Sequence, residues 1–119
     1  MVEQRTLTRG GIYLAKLDPA KAAEVGKIRP IIILNAQTLL DVEPPTIFIC
    51  PLSSHSQPAY ASLHIEILSR DNLKSKSYAL IDHCRSISIR RILHPRLAQL
   101  TNAELSLILH KLQRLVGVF

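Results

Sequence analysis

Two stretches of the chain are apolar almost without a break, and each ends in polar groups. Lys27-Ile28-Arg29-Pro30 runs into Ile31-Ile32-Ile33-Leu34, and Thr46-Ile47-Phe48-Ile49-Cys50-Pro51-Leu52 runs out into Ser53-Ser54. A short continuous apolar run reads as a strand covered on both faces. Proline at the first position of such a strand costs no ladder hydrogen bond, so Arg29-Pro30 marks a strand start. Stiff strands hold the side chains at their tips in place. If the two tips meet, a permanent cation and a pair of hydroxyls stand beside one point, as gripping a phosphodiester requires.

The rest of the pattern surrounds these two strands. Ile12 to Leu17 reads as a first strand, stopped by the turn pair Asp18-Pro19. Residues 20–28 contain Gly26 and read as a surface loop leading directly to Arg29, and Asn35 to Leu40 allows one helical turn. Ser53 to Tyr60 reads as a polar loop. Leu63, Ile65 and Ile67 then alternate with Ser62, His64 and Glu66, the mark of a half-exposed strand that places His64 on its wet face. Ser69 to Lys76 is a charged connection, and residues 77–89 predict one long strand or two short ones. Thr101-Asn102-Ala103-Glu104 is a capping box. It opens a helix with Leu105, Ile108, Leu109, Leu112 and Leu115 on one stripe. Five to seven short strands with a terminal amphipathic helix predict a small, mainly β barrel with added helices.

Composition narrows the class. At 119 residues and 47% hydrophobic, the chain fits one domain over 1–119 with its own core, residues 1–8 being expected to be flexible. The formal net charge of +6 favours an anionic partner such as nucleic acid or an acidic protein segment. Cys50 and Cys84 are too few for a four-ligand zinc site, and Cys50 reads as a small core residue. No run approaches the roughly 20 apolar residues of a membrane span, and a soluble, cytoplasmic protein without membrane partner is expected. Five scattered histidines without paired spacing predict no metal site.

The order of these features resembles the MazF/PemK family of toxin endoribonucleases. The matching residues are Arg9-Gly10-x-Ile12-Tyr13, Leu17-Asp18-Pro19, Glu24, Lys27-x-Arg29-Pro30 and Cys50-Pro51-Leu52-Ser53-Ser54, then Ala79-Leu80-Ile81-Asp82-x-x-Arg85-Ser86-Ile87 and the closing helix. Each fragment alone is weakly specific; the ordered set covers residues 9–116. The chain departs from the family pattern at Gly11, where an acidic residue is usual, at Ala23, where glycine is common, and at His83, where glutamine is usual.

The resemblance implies a homodimer of SH3-like (CcdB/PemK-type) β-barrels with a C-terminal amphipathic helix, acting as the toxin of a type II toxin–antitoxin pair. It implies cleavage of single-stranded RNA, messenger RNA above all, without cofactor or metal, to a 2′,3′-cyclic phosphate and a 5′-hydroxyl. It further implies a cognate antitoxin with an acidic tail, and operator DNA as a partner of the toxin–antitoxin complex. Arg29 and Ser53 carry over as the catalytic pair. Their plainer readings are a strand-edge salt bridge with Glu24 or Asp18 and a turn serine. The RNA-binding set expected is Lys16, Lys27 and Arg85 on phosphates, Leu17 and Pro19 as apolar walls, and Glu24, Ser54, His55, Asp82 and His83. His55 and His83 are the candidate proton carriers, because arginine is a poor base at neutral pH; the plainer reading of each, and the commoner one, is a surface or hydrogen-bonded structural histidine. Two other readings stand beside the nuclease: a family barrel that binds antitoxin or DNA without cutting, and a gyrase poison on the same fold.

Overall fold

In the computed structural model the described residues are 6–18, 27–56 and 58–117. Seven strands and two helices follow in order: β1 (Gly11–Lys16), β2 (Ile28–Ile33), α1 (Gln37–Leu40), β3 (Thr46–Ser53), β4 (His64–Ile67), β5 (Ser77–Leu80), β6 (Arg85–Ser88), β7 (Ile92–Gln99) and α2 (Asn102–Leu115). All pairings are antiparallel, in the order β4-β5-β3-β2-β1-β7, with β6 also on β3. The sheet with its C-terminal helix has the SH3-like form expected. No helix among the described residues is long and apolar enough to cross a membrane.

The two apolar runs are the central strands. Along β2 the side chains alternate between two clusters: Ile32 packs with Ile12, Cys50 and Leu52, and Ile31 and Ile33 pack with Tyr13, Ala15, Ile47 and Ile49. A strand buried on both faces has no polar position to spare, which is why its sequence does not alternate. β3 changes partners along one edge, pairing with β6 through Thr46 to Ile49 and with β5 through Leu52 and Ser53. The change falls at Cys50-Pro51, where a residue without an N–H leaves no donor unpaired.

Several boundaries differ from the sequence reading. β1 and β2 each begin one residue earlier than expected, and residues 77–89 form two short strands joined by a 3-10 turn at Ile81–His83. The loop after β3 closes in a 3-10 turn, Pro58–Leu63, so Leu63 precedes β4. Leu7, within the lead-in expected to be flexible, is buried in the second cluster. β7 was not read from the sequence at all, because Pro95 and the basic residues around it look unlike a strand. Its register pairs Leu93 with Leu14 and Ala98 with Ile12, so residues 94–97 arch away opposite Tyr13. Pro95 sits in that arch, where no ladder bond is required of it.

The capping box forms as read: the Thr101 hydroxyl accepts from the Glu104 N–H at 3.1 Å, and the Glu104 carboxylate accepts from the Thr101 N–H at 2.9 Å. α2 buries Ile108 in the first cluster with Leu105 and Leu112 packed against it, while Leu115 remains 43% exposed. Gly11, one of the family departures, has no room for a side chain. A Cβ there would lie 2.8 Å from both the Thr8 carbonyl and the Tyr13 ring.

Candidate active site

β2 pairs with β1 from Ile28 onward but with β3 only from Ile31. The prolines explain the parting, since neither Pro30 nor Pro51 has an N–H to extend the ladder. Beyond it, the register of Ile31 with Pro51 sets Pro30 opposite Leu52 and Arg29 opposite Ser53. The gap opens into a cavity of about 460 Å³ lined by Arg29, Ser53, Lys27 and Ser54, and floored by Leu14 and Leu52. That volume lies within the range of small-molecule sites, roughly 300–1,000 Å³.

Three cations, Lys27, Arg29 and Lys74, are among the described residues that line this cavity, and no carboxylate is among those described. Such a lining favours an anion electrostatically. Ser53 Oγ accepts the His55 N–H at 3.2 Å, which leaves the serine proton to donate elsewhere. The turn role read as the plain alternative for Ser53 is therefore present and compatible with donation into the cavity. Lys27 has a left-handed backbone, φ 64°, and its N–H donates to Asp18 Oδ1 at 2.7 Å. The Leu17 N–H donates to the Lys27 carbonyl at 2.8 Å, closing the base of the segment that leads to Arg29.

The other expected site residues divide. Lys16 is exposed on the same side of β1 as Leu14. Leu17 is fully buried in the second cluster, so its side chain is core and forms no wall of the cavity; it turns inward just past the end of β1. Arg85 donates to the Leu17 carbonyl at 3.1 Å, and Arg91 donates to the carbonyls of Lys16 and Asp18 at 3.0 and 2.8 Å. These two guanidiniums hold three successive carbonyls at the end of β1. Pro19 and Glu24 lie outside the described residues.

Asp82 and His83 sit on the turn between β5 and β6 and do not line the cavity. There Asp82 Oδ1 lies 3.2 Å from His64 Nε2, and His64 Nδ1 lies 2.8 Å from Ser56 Oγ. The His64 side chain is only 7% exposed. Its expected place on a wet face is thus corrected: Glu66 is exposed as the alternation requires, but at the strand's start the turn bearing Asp82 covers the imidazole. The sequence reading also passed over Asn72, Lys74, Ser75 and Ser77, which line the cavity from the connection before β5 and from its first residue. Lys74 in a charged connection was their only local signal.

Among the described residues no group of three His, Cys, Asp or Glu side chains could hold a metal ion. Cys50 is buried, and its thiol is pushed well above its ordinary value by a hydrogen bond with Cys84 and by burial.

Comparison with known proteins gives one family. The chain matches the description "PemK-like, MazF-like toxin of type II toxin-antitoxin system" over residues 8–116. It is 30% identical over 87 residues to a Staphylococcus saprophyticus protein named Endoribonuclease MazF, covering 72% of each chain. Among solved structures it resembles MazF from Deinococcus radiodurans, with TM-score 0.82 at 22% identity, covering 97% of this chain and all of that one. It also resembles a chain of a MazE-MazF structure from the same organism, with TM-score 0.76 at 22% identity over 98% and 100% of the two chains. The Mycobacterium tuberculosis toxin MazF-mt6 follows at TM-score 0.73 and 14% identity, covering 92% and 98%. The match over residues 8–116, with a relative 30% identical over 72% of each chain, shows that the chain belongs to the PemK/MazF family of toxins of type II toxin–antitoxin systems.

Proposed function

We propose that this toxin is a metal-independent endoribonuclease that cuts single-stranded RNA in the cavity between β2 and β3. The observation that carries the reading is the convergence of Arg29 and Ser53, with Lys27 and Lys74, on one cavity at the ends of two central strands.

The Arg29 guanidinium grips the non-bridging oxygens of the scissile phosphate and stabilises the charge that grows there. The Ser53 hydroxyl donates to one of those oxygens and fixes the in-line geometry. The ribose 2′-oxygen then forms a bond to phosphorus as the P–O5′ bond breaks. The 2′-hydroxyl loses its proton to a base, and the departing 5′-oxygen gains one, leaving a 2′,3′-cyclic phosphate and a 5′-hydroxyl. Lys27, Lys16 and Ser54 hold neighbouring phosphates, and Asp82 and His83, outside the cavity, contact a base. Single-stranded RNA suits such a site, because splayed bases expose the edges that polar side chains read.

The same basic groove fits the acidic tail of a cognate antitoxin, and the active form is a homodimer. Operator DNA would be bound only by the toxin–antitoxin complex. The site of action is the cytoplasm, where messenger RNA is translated.

The test is incubation of the purified protein with a long single-stranded RNA in excess EDTA, beside Arg29→Ala, with the fragment ends mapped. Discrete cuts ending in cyclic phosphate, lost in the variant, are expected. Intact RNA in both reactions would overturn the nuclease reading and leave a family member that binds without cutting.

A further inference from the structure

We propose that His64 is a positioning residue for this nuclease, joining the loop that follows Ser53 to the carboxylate of Asp82. The inference rests on the nuclease reading above and extends it to a residue outside the cavity.

One imidazole here ties together three segments that are distant in sequence. Ser56 lies in the loop after β3, His64 begins β4, and Asp82 lies in the turn after β5. Chemistry fixes the direction of the chain. An ionised carboxylate only accepts, so His64 Nε2–H donates to Asp82 Oδ1 across 3.2 Å, and in the neutral imidazole Nδ1 accepts the Ser56 hydroxyl proton across 2.8 Å. Both ring nitrogens are thereby used. With its side chain 7% exposed, the imidazole has little freedom to exchange these partners for water.

Each end of the chain reaches a group with a proposed task. Ser56 stands three residues past Ser53, in the loop whose His55 N–H already orients the Ser53 hydroxyl. Holding Ser56 therefore limits the motion of the loop that aims that hydroxyl. At the other end, Oδ1 of Asp82 is taken by His64, and Oδ2 lies toward His83 at 3.9 Å. A carboxylate fixed through one oxygen presents the other in a set direction, as an acceptor for the amino group of a base. Ser56, His64 and Asp82 have the membership of a hydrolytic triad, but Ser56 does not line the Arg29 cavity and the attacking oxygen belongs to the ribose. The trio positions groups and supplies no nucleophile.

Two conservative replacements separate the two bonds. A glutamine amide reaches the place of Nε2 and keeps the Asp82 contact; an asparagine amide reaches only the place of Nδ1 and keeps the Ser56 contact. Steady-state cleavage of a short RNA spanning the mapped cut site is measured for His64→Gln, His64→Asn, His64→Ala and Ser56→Ala, after thermal unfolding has shown each to be folded. We expect His64→Gln and Ser56→Ala to lower kcat about threefold to tenfold, the range of one lost hydrogen bond, with KM unchanged. His64→Asn should instead raise KM and relax the choice of cut site, with kcat retained; His64→Ala should show both losses.

A folded His64→Ala with the wild-type kcat, KM and cut site overturns the inference, while loss of cleavage in Arg29→Ala still upholds the nuclease. Equal losses in the Gln and Asn variants overturn it as well, since a merely structural histidine would not split the two constants. If the wild-type protein neither cuts RNA nor binds an uncleavable RNA carrying deoxyribose at the cut position, the nuclease reading and this inference both fall.

Discussion

Arg29 stands opposite Ser53 where β2 and β3 part, two residues beyond the last ladder position, Ile31 with Pro51. Ile31, Pro51 and Leu52 are buried there while Arg29 and Ser53 are half-buried, so both side chains leave a rigid core for one cavity. The relation predicts an asymmetric response to substitution. Arg29→Ala should lose about 10²–10³ in rate, the usual cost of removing a preorganised donor. Its thermal midpoint should stay near wild type, because the side chain fills no core space. Arg29→Lys should recover part of the rate, since an ammonium supplies charge without the planar fork. Ser53→Thr should cut RNA and Ser53→Ala should be impaired, as measured by single-turnover cleavage.

Lys27 combines a left-handed backbone with a place on the cavity wall. A side chain in that conformation costs roughly 1–2 kcal/mol, and glycine avoids the penalty at the expense of chain entropy. Lys27→Gly is therefore expected to match the wild type in stability or to exceed it by up to about 1 kcal/mol. RNA binding should weaken, and the slope of log affinity against log salt should fall by about one phosphate contact. Denaturant unfolding and a salt titration of binding read the two effects separately.

Glu104 takes a fork of two bonds from Arg70, at 2.5 and 2.6 Å, while completing the cap of α2. The Arg70 guanidinium holds this carboxyl below the ordinary value of 4.5, against the opposing effect of burial. A carboxyl lowered in the folded state contributes stability above its unfolded value, and that contribution is lost as pH falls through the folded value. The hydrogen bonds with Glu104 shift Arg70 upward, so it stays charged throughout. Glu104→Gln keeps the capping acceptor and removes the charge. Because the pair is partly solvated, it should cost less than about 1 kcal/mol at neutral pH. The difference in thermal midpoint from wild type should shrink as pH falls below about 4.5 and onward through the lowered value.

Cys50 should behave as a core residue with no accessible thiolate. Its pKa is raised by the hydrogen bond with Cys84 and by burial, and the thiolate is the reactive form. In Cys84→Ser an aromatic disulfide reagent at neutral pH should leave the native protein unlabelled and react fully once it is unfolded. Rapid labelling of the native variant would contradict the burial of this thiol.

What the sequence alone determined was whatever is written in neighbouring residues. The unbroken apolar runs around Ile32 and Ile49 predicted strands covered on both faces, and they are the centre of the sheet. Thr101 and Glu104 predicted a capping box, three residues apart, and both of its bonds form. Arg29 and Ser53 were legible as strand-tip residues for the same reason. Tertiary structure decided what depends on register and on contacts between distant segments. Pro95 concealed β7, because a strand that arches past its partner has no local period to betray it. Leu17 looked like a wall and proved to be core, since the inward side of a strand end is set by the sheet it joins. His64 looked solvated by alternation and is instead enclosed by Ser56 and Asp82, brought to it from 8 and 18 residues away. A side chain's period gives its face, but only the packing of other elements on that face decides whether it meets water or another residue.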